Sequence, residues 1–507
     1  MRQPERPAAS AHAASAHAVP DPVVPAPAPP SDPPRTDRSL AALLREWLPR
    51  QRWFAGKDRP IDELSIGTAT ELLPGEPGLR HLVLDVRQGG DLDHYQVLLG
   101  VRRELPDRLR RGEIGRVAGN GGAPGHVYDA VHDPELTRSL LAAMADRATA
   151  GPLRFRHAPG AAIDRTLGGL PSSAEQSNTS IIFGAAYICK LFRRLSPGVS
   201  PDLEVNLALS RQGCAHVPAV HGWIELDPGD GGDPTTLALL SEYLRSASDG
   251  WQLALTSVRD WFARPLPPGP VTAEDAGGAG GDFAAEAERL GAATAAVHRD
   301  LAEAFGVTEA PAHEVRELAA AMRRQLAEVA GTVPELDPYA GAIGAAFDEL
   351  AATAGPLPFQ RVHGDYHLGQ VLRTDTGWML LDFEGEPART AAERRASSHP
   401  LRDVAGMLRS FEYAARFLLA GEEQLPPETA QELEARAHAW AARNRAAFCR
   451  GYAKAGGADP ERHAVLIRAL EFDKAVYEIR YEARNRPSWL PVPLRSLAHL
   501  LHGRNGD

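Results

Sequence analysis

The 507-residue chain holds three cysteines, Cys189, Cys214 and Cys449, far apart and without a CxxC pair. That spacing excludes a disulfide framework and a cysteine zinc site, and leaves reduced, buried thiols as the expectation. Positive charge is also short. Against 66 Asp and Glu stand 55 Lys and Arg, a formal charge of -11. Nucleic acid or an anionic membrane would call for a basic face, so neither is expected as a partner. No apolar run approaches the length of a membrane helix. The N-terminus, MRQPER followed by Ala, Pro and His, has no apolar signal core, and a cytoplasmic compartment is expected. No glycine-rich GxGxxG precedes the apolar hairpin pattern IIFGAAYICKLF.

What is present is concentrated in one stretch, FQRVHGDYHLGQVL from Phe359 to Leu372 followed by WMLLDFEGEP from Trp378 to Pro387. The pattern predicts strand, polar loop, strand, turn, strand. Asp365 lies in the loop, Gln370 follows five positions later, and Asp382 ends an apolar run. Phosphoryl transfer needs a carboxylate to accept the proton of an attacking hydroxyl, and a neutral oxygen ligand plus a second carboxylate to hold Mg²⁺ on the phosphates. Asp365, Gln370 and Asp382 can fill those roles in that order. The stretch resembles the protein-kinase-like catalytic loop, with HGD in place of HRD, Gln in place of Asn and DFE in place of DFG. A lone HGD is more often a tight turn with a capping Asp. Two metal-ligand types at kinase-like distances turn the reading toward chemistry.

Upstream, IIFGAAYICKLF predicts a hairpin turning near Gly184, with Lys190 on its second strand. A lysine among Tyr, Ile, Cys, Leu and Phe is costly to bury unless paired. Ser200 and Pro201 read as N-cap and first residue of a helix carrying Asp202 and Glu204, and Glu204 is the expected partner of Lys190. An edge-strand lysine reaching solvent is the alternative. The loop before the hairpin offers Ser177, Asn178, Thr179 and Ser180 to the phosphates through hydroxyls, an amide and backbone N–H groups. The apolar strand Leu237 to Leu244 ends where a kinase-like fold puts its adenine hinge, here Glu242, Tyr243 and Leu244.

The rest of the chain supplies context, and its length allows about two to four domains or subdomains. Residues 1–37 are rich in Pro and Ala and should be a disordered tail. Leu40 to Leu48 has helical spacing. In PRQRWFAGK, Trp53 and Phe54 stand among Arg50, Arg52 and Lys57, either as an anion or sugar site or as a helix end whose aromatics pack while its cations stay wet. HLVLDV and HYQVLLGV predict strands joined by a Gly and Asp turn. Residues 264–282 read as a flexible loop, after which helices dominate. Asp403, near a helix start, is expected to cap it or to brace the catalytic loop. The last long helix sets Lys474, Tyr477, Glu478 and Tyr481 at spacings of three and four, either a sugar-binding wall or a stripe of intrahelical ion pairs.

Taken together, PRQRWFAGK, YICKLFRR, HGDYHLGQVL, LLDFEGEP, HPLRDVAGMLRSF and the terminal FDKAVYE and YEARNRPSWLP resemble bacterial maltokinases from about residue 38 to 497. HGD with DFE is common to many small-molecule kinases, whereas QRWFAGK and YEARNRP are more specific. The resemblance implies an α+β, bilobal, protein-kinase-like fold of the aminoglycoside-phosphotransferase type. It implies an N-terminal cap (38–130), a nucleotide lobe (131–245) and a mainly helical C-lobe (246–507). It further implies ATP and Mg²⁺ as cofactors and maltose as acceptor, phosphorylated at its anomeric hydroxyl on the way to α-glucan. Asp365 matches the family's base, Gln370 and Asp382 its metal ligands, and Lys190 with Glu204 its phosphate-orienting pair. Lys474, Tyr477, Glu478 and Tyr481 match the sugar wall. A monomer acting on small molecules is expected. A glucosamine or aminoglycoside kinase on the same scaffold is the nearest alternative, and Glu478 could then meet the amine. A catalytically silent nucleotide-binding protein would lack the lysine, the base or a metal position, and none is missing here.

Overall fold

The computed structural model describes residues 35–118, 124–172, 177–229, 231–265, 269–278, 281–353, 355–386, 389–420 and 426–502. The tail expected to be disordered lies outside them except for residues 35–37, which already belong to helix α1 (Arg35–Trp47). Leu40, Leu44 and Trp47 are its buried stripe, at the spacing an amphipathic helix requires, and buried Leu48 follows in a 3-10 turn.

That stripe covers an antiparallel sheet of β1 (Glu63–Leu73), β2 (Gly78–Gln88), β3 (Asp91–Arg102), β4 (Glu113–Ala118) and β5 (Pro124–Asp129), in the order β1-β2-β3-β5-β4. The expected strands of HLVLDV and HYQVLLGV are β2 and β3, turning at Gly89 and Gly90. Asp133 caps α2 (Pro134–Ala145), accepting from the Glu135 N–H at 3.1 Å, with Pro134 as the first helical residue.

A second sheet holds β6 (Thr149–Ala150), β7 (Leu153–His157), β8 (Gly169–Pro171), β9 (Thr179–Phe183) and β10 (Tyr187–Leu191). A two-residue strand, β11 (Arg194–Leu195), follows β10 and crosses to pair with β3. Helix α3 (Pro201–Gln212) intervenes before β12 (Val220–Leu226) and β13 (Thr235–Glu242), and the sheet order is β6-β7-β12-β13-β10-β9-β8. The hairpin turns at Gly184, as expected, with φ of 58°. Two buried side chains tie the sheets together. Gln96 donates to the carbonyls of Phe192 at 2.8 Å and Leu237 at 2.7 Å, and Arg193 meets Asp129 at 2.6 Å while lying 4.6 Å above the Trp53 ring. Trp53 and Phe54 are therefore packing residues, not an open aromatic platform.

The remainder is helical around one large core. After the short β14 (Ser248–Asp249) come α4 (Gly250–Ala263), α5 (Ala273–Gly277), α6 (Ala284–Phe305), β15 (Val307–Ala310), α7 (Ala312–Ala330) and α8 (Asp337–Ala351). β16 (Leu357–Gln360), β17 (Val371–Thr374) and β18 (Gly377–Leu380) then carry the catalytic stretch. α9 (Ala391–Arg395), α10 (Leu401–Phe417), α11 (Pro427–Lys454), α12 (Ala464–Asn485) and α13 (Pro491–His502) complete the chain. α6 and α11 touch backbone to backbone. A Cβ on Gly291 would lie 2.1 Å from the Phe448 carbonyl, and one on Gly451 would lie 1.9 Å from that of Glu288. None of the described helices is long and apolar enough to cross a membrane.

Candidate active site

The loop between β16 and β17 is held from behind by one carboxylate. Asp403, 1% exposed at the start of α10, accepts from the backbone N–H of His363 at 2.7 Å and of Gly364 at 2.9 Å, and from His298 Nε2 at 2.9 Å. Burial pushes the Asp403 carboxyl up, but these donors hold it below the usual carboxylate range. Asp403 thus braces the loop. Two glycines let the loop seat: Gly364 has φ of 87°, and a Cβ on Gly406 would lie 2.6 Å from the Tyr366 carbonyl. The Tyr366 hydroxyl, buried beneath the loop, meets Thr294 Oγ1 at 2.8 Å.

His363 joins the two halves of the stretch. Its Nε2 lies 2.8 Å from the Leu381 carbonyl, just before Asp382, and its Nδ1 faces the Asp365 N–H at 3.4 Å. Asp382 has φ of 64°, a left-handed conformation that costs a non-glycine residue about 1–3 kcal/mol and is found where the surroundings fix it. Here they do. Its Oδ1 receives Lys190 Nζ at 2.7 Å, its Oδ2 receives Gln370 Nε2 at 3.1 Å, and the next N–H, from Phe383, donates to Asp202 Oδ1 at 3.0 Å.

Lys190 is paired, but not with the expected partner. Its ammonium contacts Asp202 at 3.0 Å, Asp382 at 2.7 Å and Glu384 at 2.6 Å. Glu204 instead meets Arg361 at 2.8 Å, with Arg395 at 4.0 Å. The reason is helical geometry: residues two apart on a helix point about 200° away from each other, so α3 cannot aim both acids at one lysine. Burial opposes the Lys190 charge, and the three carboxylates more than offset it, raising its pKa well above the usual value. Burial likewise pushes Glu384 up and Asp382 up, and Lys190 brings only Asp382 below its ordinary value.

Oxygens of Asp202, Asp382 and Glu384 lie within 4.8 Å of one another. Such a set of hard oxygen donors suits Mg²⁺, and Gln370 adds an amide whose oxygen would face a cation after a half-turn of its terminal torsion. The residues present therefore fit a magnesium site made of Asp382 and Gln370, with Asp202 and Glu384 adjoining.

The expected phosphate loop divides. Residues 173–176 lie outside the described residues. Asn178 donates to Glu384 Oε1 at 3.2 Å, placing it over the acidic cluster. Ser180 is the cross-strand partner of Lys190 and so shares its face. Thr179 does not: its Oγ1 accepts from buried Arg193 at 2.8 Å, on the opposite face of β9, because successive strand residues alternate. Ser177 is exposed at the strand entrance. At the hinge, the Glu242 N–H goes to the Ala219 carbonyl at 2.8 Å and that of Tyr243 to Ala186 at 2.9 Å. Those two amides are already occupied.

On the other side of Asp365 opens a cleft of ≈ 920 Å³. Lys474, Tyr477, Glu478 and Tyr481 all line it, together with Trp251, Tyr413 and Asp58 from the cap. Lys474 Nζ is 3.2 Å from Asp365 and 2.9 Å from Glu386, and 4.7 Å above the Tyr477 ring. Glu386, 3% exposed, also meets Arg389 at 2.6 Å and Arg402 at 3.5 Å. Burial pushes its carboxyl up, yet Lys474, Arg402 and Arg389 bring it down to about 2. Glu478 is committed to buried Arg409 at 2.7 Å, and Glu482 accepts from the Tyr413 hydroxyl at 2.6 Å and from Arg486 at 2.6 Å.

Residues 47–133 match the maltokinase N-terminal cap domain, and residues 169–466, more than half of the chain, match the phosphotransferase enzyme family. The chain belongs to the phosphotransferase enzyme family. This phosphotransferase is 33% identical over 345 residues to a glucosamine kinase of Streptacidiphilus jiangxiensis, covering 66% of this chain and 73% of that one. It is 30% identical over 343 residues to a glucosamine kinase of Mycolicibacterium smegmatis, covering 65% and 79%. Among solved structures, a glucosamine kinase in complex with glucosamine, ADP and inorganic phosphate is similar to it with a TM-score of 0.62 at 27% identity, over 91% of this chain and 99% of that chain. A second crystal form gives a TM-score of 0.64 with the same identity and coverage. The phosphotransferase thus has the kinase-like α+β fold with a maltokinase-type cap.

Several residues of the site are not legible as such in the sequence. Glu384 and Glu386 stood in plain view as the second and third acids of DFEGEP, at alternate positions after Asp382. Arg409 and Asp58 carried no comparable signal, since each acquires its place only through tertiary packing.

Proposed function

We propose that this phosphotransferase is an ATP- and Mg²⁺-dependent sugar kinase that transfers the γ-phosphoryl group to the anomeric hydroxyl of maltose, giving maltose 1-phosphate for α-glucan synthesis. The observation that carries the reading is the position of Asp365, between the Lys190 and Asp382 cluster on one side and the tyrosine-lined cleft on the other.

In this reading Asp365 accepts the proton of the attacking hydroxyl as its oxygen forms a bond to the γ-phosphorus and the bond to the ADP oxygen breaks. Lys190 orients the nucleotide phosphates, with Asp202 holding the ammonium in place. Gln370 and Asp382 would hold the cation, which supplies charge neutralisation on the phosphate oxygens. Asn178 and Ser180 cover the phosphates, and Leu244 meets the adenine. Lys474 sets the carboxylate of Asp365 and presents an ammonium to the acceptor, while Tyr477 and Tyr481 offer ring faces to sugar C–H groups.

The preference for a neutral sugar rests on Glu478. On the C-lobe wall, beside Tyr477 and Tyr481, a hexosamine ammonium would need an uncommitted carboxylate, and Glu478 there is already neutralised by Arg409 at 2.7 Å. The volume of ≈ 920 Å³ leaves room for two hexose rings. Glucosamine is the second reading, favoured by the relatives that bear the name glucosamine kinase. Coupled measurement of ADP release with maltose, glucosamine, glucose and kanamycin side by side separates them. The proposal expects the largest kcat/KM with maltose, and a preference of tenfold or more for glucosamine (about 1.4 kcal/mol) would replace it by the second reading.

A further inference from the structure

The acceptor cleft is built mainly from the C-lobe, yet one of its lining residues, Asp58, comes from the cap. The segment that carries it is fixed on both sides. Gln88, 2% exposed at the end of β2, donates its Nε2 to the Gly56 carbonyl at 2.8 Å and the Arg59 carbonyl at 2.7 Å. A Cβ on Gly56 would fall 1.8 Å from Gln88 Oε1, so glycine is required for that approach. Arg59 adds a contact to Asp91 at 2.8 Å, and Lys57 turns back to the Arg52 carbonyl at 2.8 Å. Trp53 and Phe54 anchor the start of the segment in the cap core. Asp58 is thus held out at the tip of a turn whose backbone has little freedom.

The electrostatics of the cleft give that placement meaning. Asp365 is engaged by Lys474, Glu478 by Arg409, and Glu482 by Tyr413 and Arg486. Among the described residues Asp58 has no ion-pair or side-chain hydrogen-bond partner, and it is exposed. A carboxylate accepts up to about four hydrogen bonds. In a cleft whose other acids are committed, it is the acceptor left for donors on a bound sugar.

We propose that Asp58 is an acceptor-binding, specificity-determining residue: its carboxylate takes hydrogen-bond donors of the sugar from the cap side, so that the acceptor site is shared between cap and C-lobe. This assignment rests on the sugar-kinase reading above. The donors are adjacent hydroxyls of a neutral sugar or the ammonium of an amino sugar, and both present the same chemistry to a carboxylate.

The test is steady-state kinetics of the full chain and its Asp58→Asn and Asp58→Ala variants, with maltose and glucosamine in separate arms. The assignment expects acceptor KM to rise about tenfold or more in both variants, with KM for ATP and the thermal midpoint unchanged. Hydroxyl recognition shows as a partial rescue of Asn over Ala with maltose. Ammonium recognition shows as equal loss for both variants with glucosamine. An active enzyme whose variants keep acceptor KM within twofold, or whose loss falls on ATP instead, overturns the assignment of Asp58 alone. Absence of transfer to any sugar by the unaltered chain overturns the sugar-kinase reading, and the assignment with it.

Discussion

Lys474 shares one ammonium between Asp365 at 3.2 Å and Glu386 at 2.9 Å. The candidate base is thereby positioned by a cation that is itself anchored to a buried anion, and the side chain that links them also faces the acceptor cleft. Burial disfavours the Lys474 charge, and Asp365 and Glu386 overcome that and raise its pKa. It stays charged throughout the working pH range.

If Asp365 is the base, Asp365→Asn removes the proton acceptor and leaves the shape nearly intact. Turnover should fall by roughly 10² to 10⁴. KM for ATP should change little, because the nucleotide cluster lies around Lys190. Stopped assays of ADP formation check this, and unchanged turnover removes Asp365 from the mechanism.

The partner of Lys190 can be read from a pair of variants. Asp202→Asn should raise KM for ATP by about tenfold or more, since it frees an ammonium that a buried carboxylate now fixes. Glu204→Gln, which breaks the pair with Arg361, should leave KM for ATP within about twofold and lower stability instead. The reverse order of effects on ATP would restore Glu204 as the orienting acid.

Glu386 makes a prediction about acid. Its carboxyl is held at about 2 in the folded chain, below an ordinary value of 4.5. The stability it contributes is fully present above about pH 4.5 and is lost as pH falls from there through about 2. The size is on the order of 3 kcal/mol. Urea unfolding at pH 7 and at pH 3 should therefore show a smaller acid loss in Glu386→Gln than in the unaltered chain. Equal losses would mean that the cluster of Lys474, Arg389 and Arg402 does not depend on this charge.

The contact of α6 with α11 is open to a stability test away from the site. Gly451→Ala puts a methyl where the Glu288 carbonyl stands. Overpacking of this kind costs about 1–3 kcal/mol. A shift of the urea midpoint with unchanged slope reports it, and no shift would mean that the helices separate freely.

Much of the site was legible because it is local. HGD, Gln370 and DFE lie within one short stretch whose strand and turn pattern fixes their spacing, and the hairpin carrying Lys190 announces itself by a charge inside an apolar run. The helix with Lys474, Tyr477, Glu478 and Tyr481 was legible by its periodicity, and all four do line the cleft. What failed to show was long-range. Whether Asp202 or Glu204 meets Lys190 depends on the rotation of α3 about its axis, and both are acids in the first turn. The neutralisation of Glu478 depends on Arg409, 69 residues away. Thr179 and Ser180 look alike in sequence, but strand alternation turns one of them to Arg193. The strand β1 gives only a weak signal in the sequence, because its alternating surface is at most half-buried at nearly every position.

The most direct measurement is phosphorus NMR of the product formed from ATP, Mg²⁺ and maltose by the full chain. The account predicts a new phosphomonoester signal coupled to the anomeric proton, appearing with stoichiometric ADP and absent with Asp365→Asn. ADP formed without any sugar phosphate, or a sugar phosphate formed at full rate by Asp365→Asn, would contradict it.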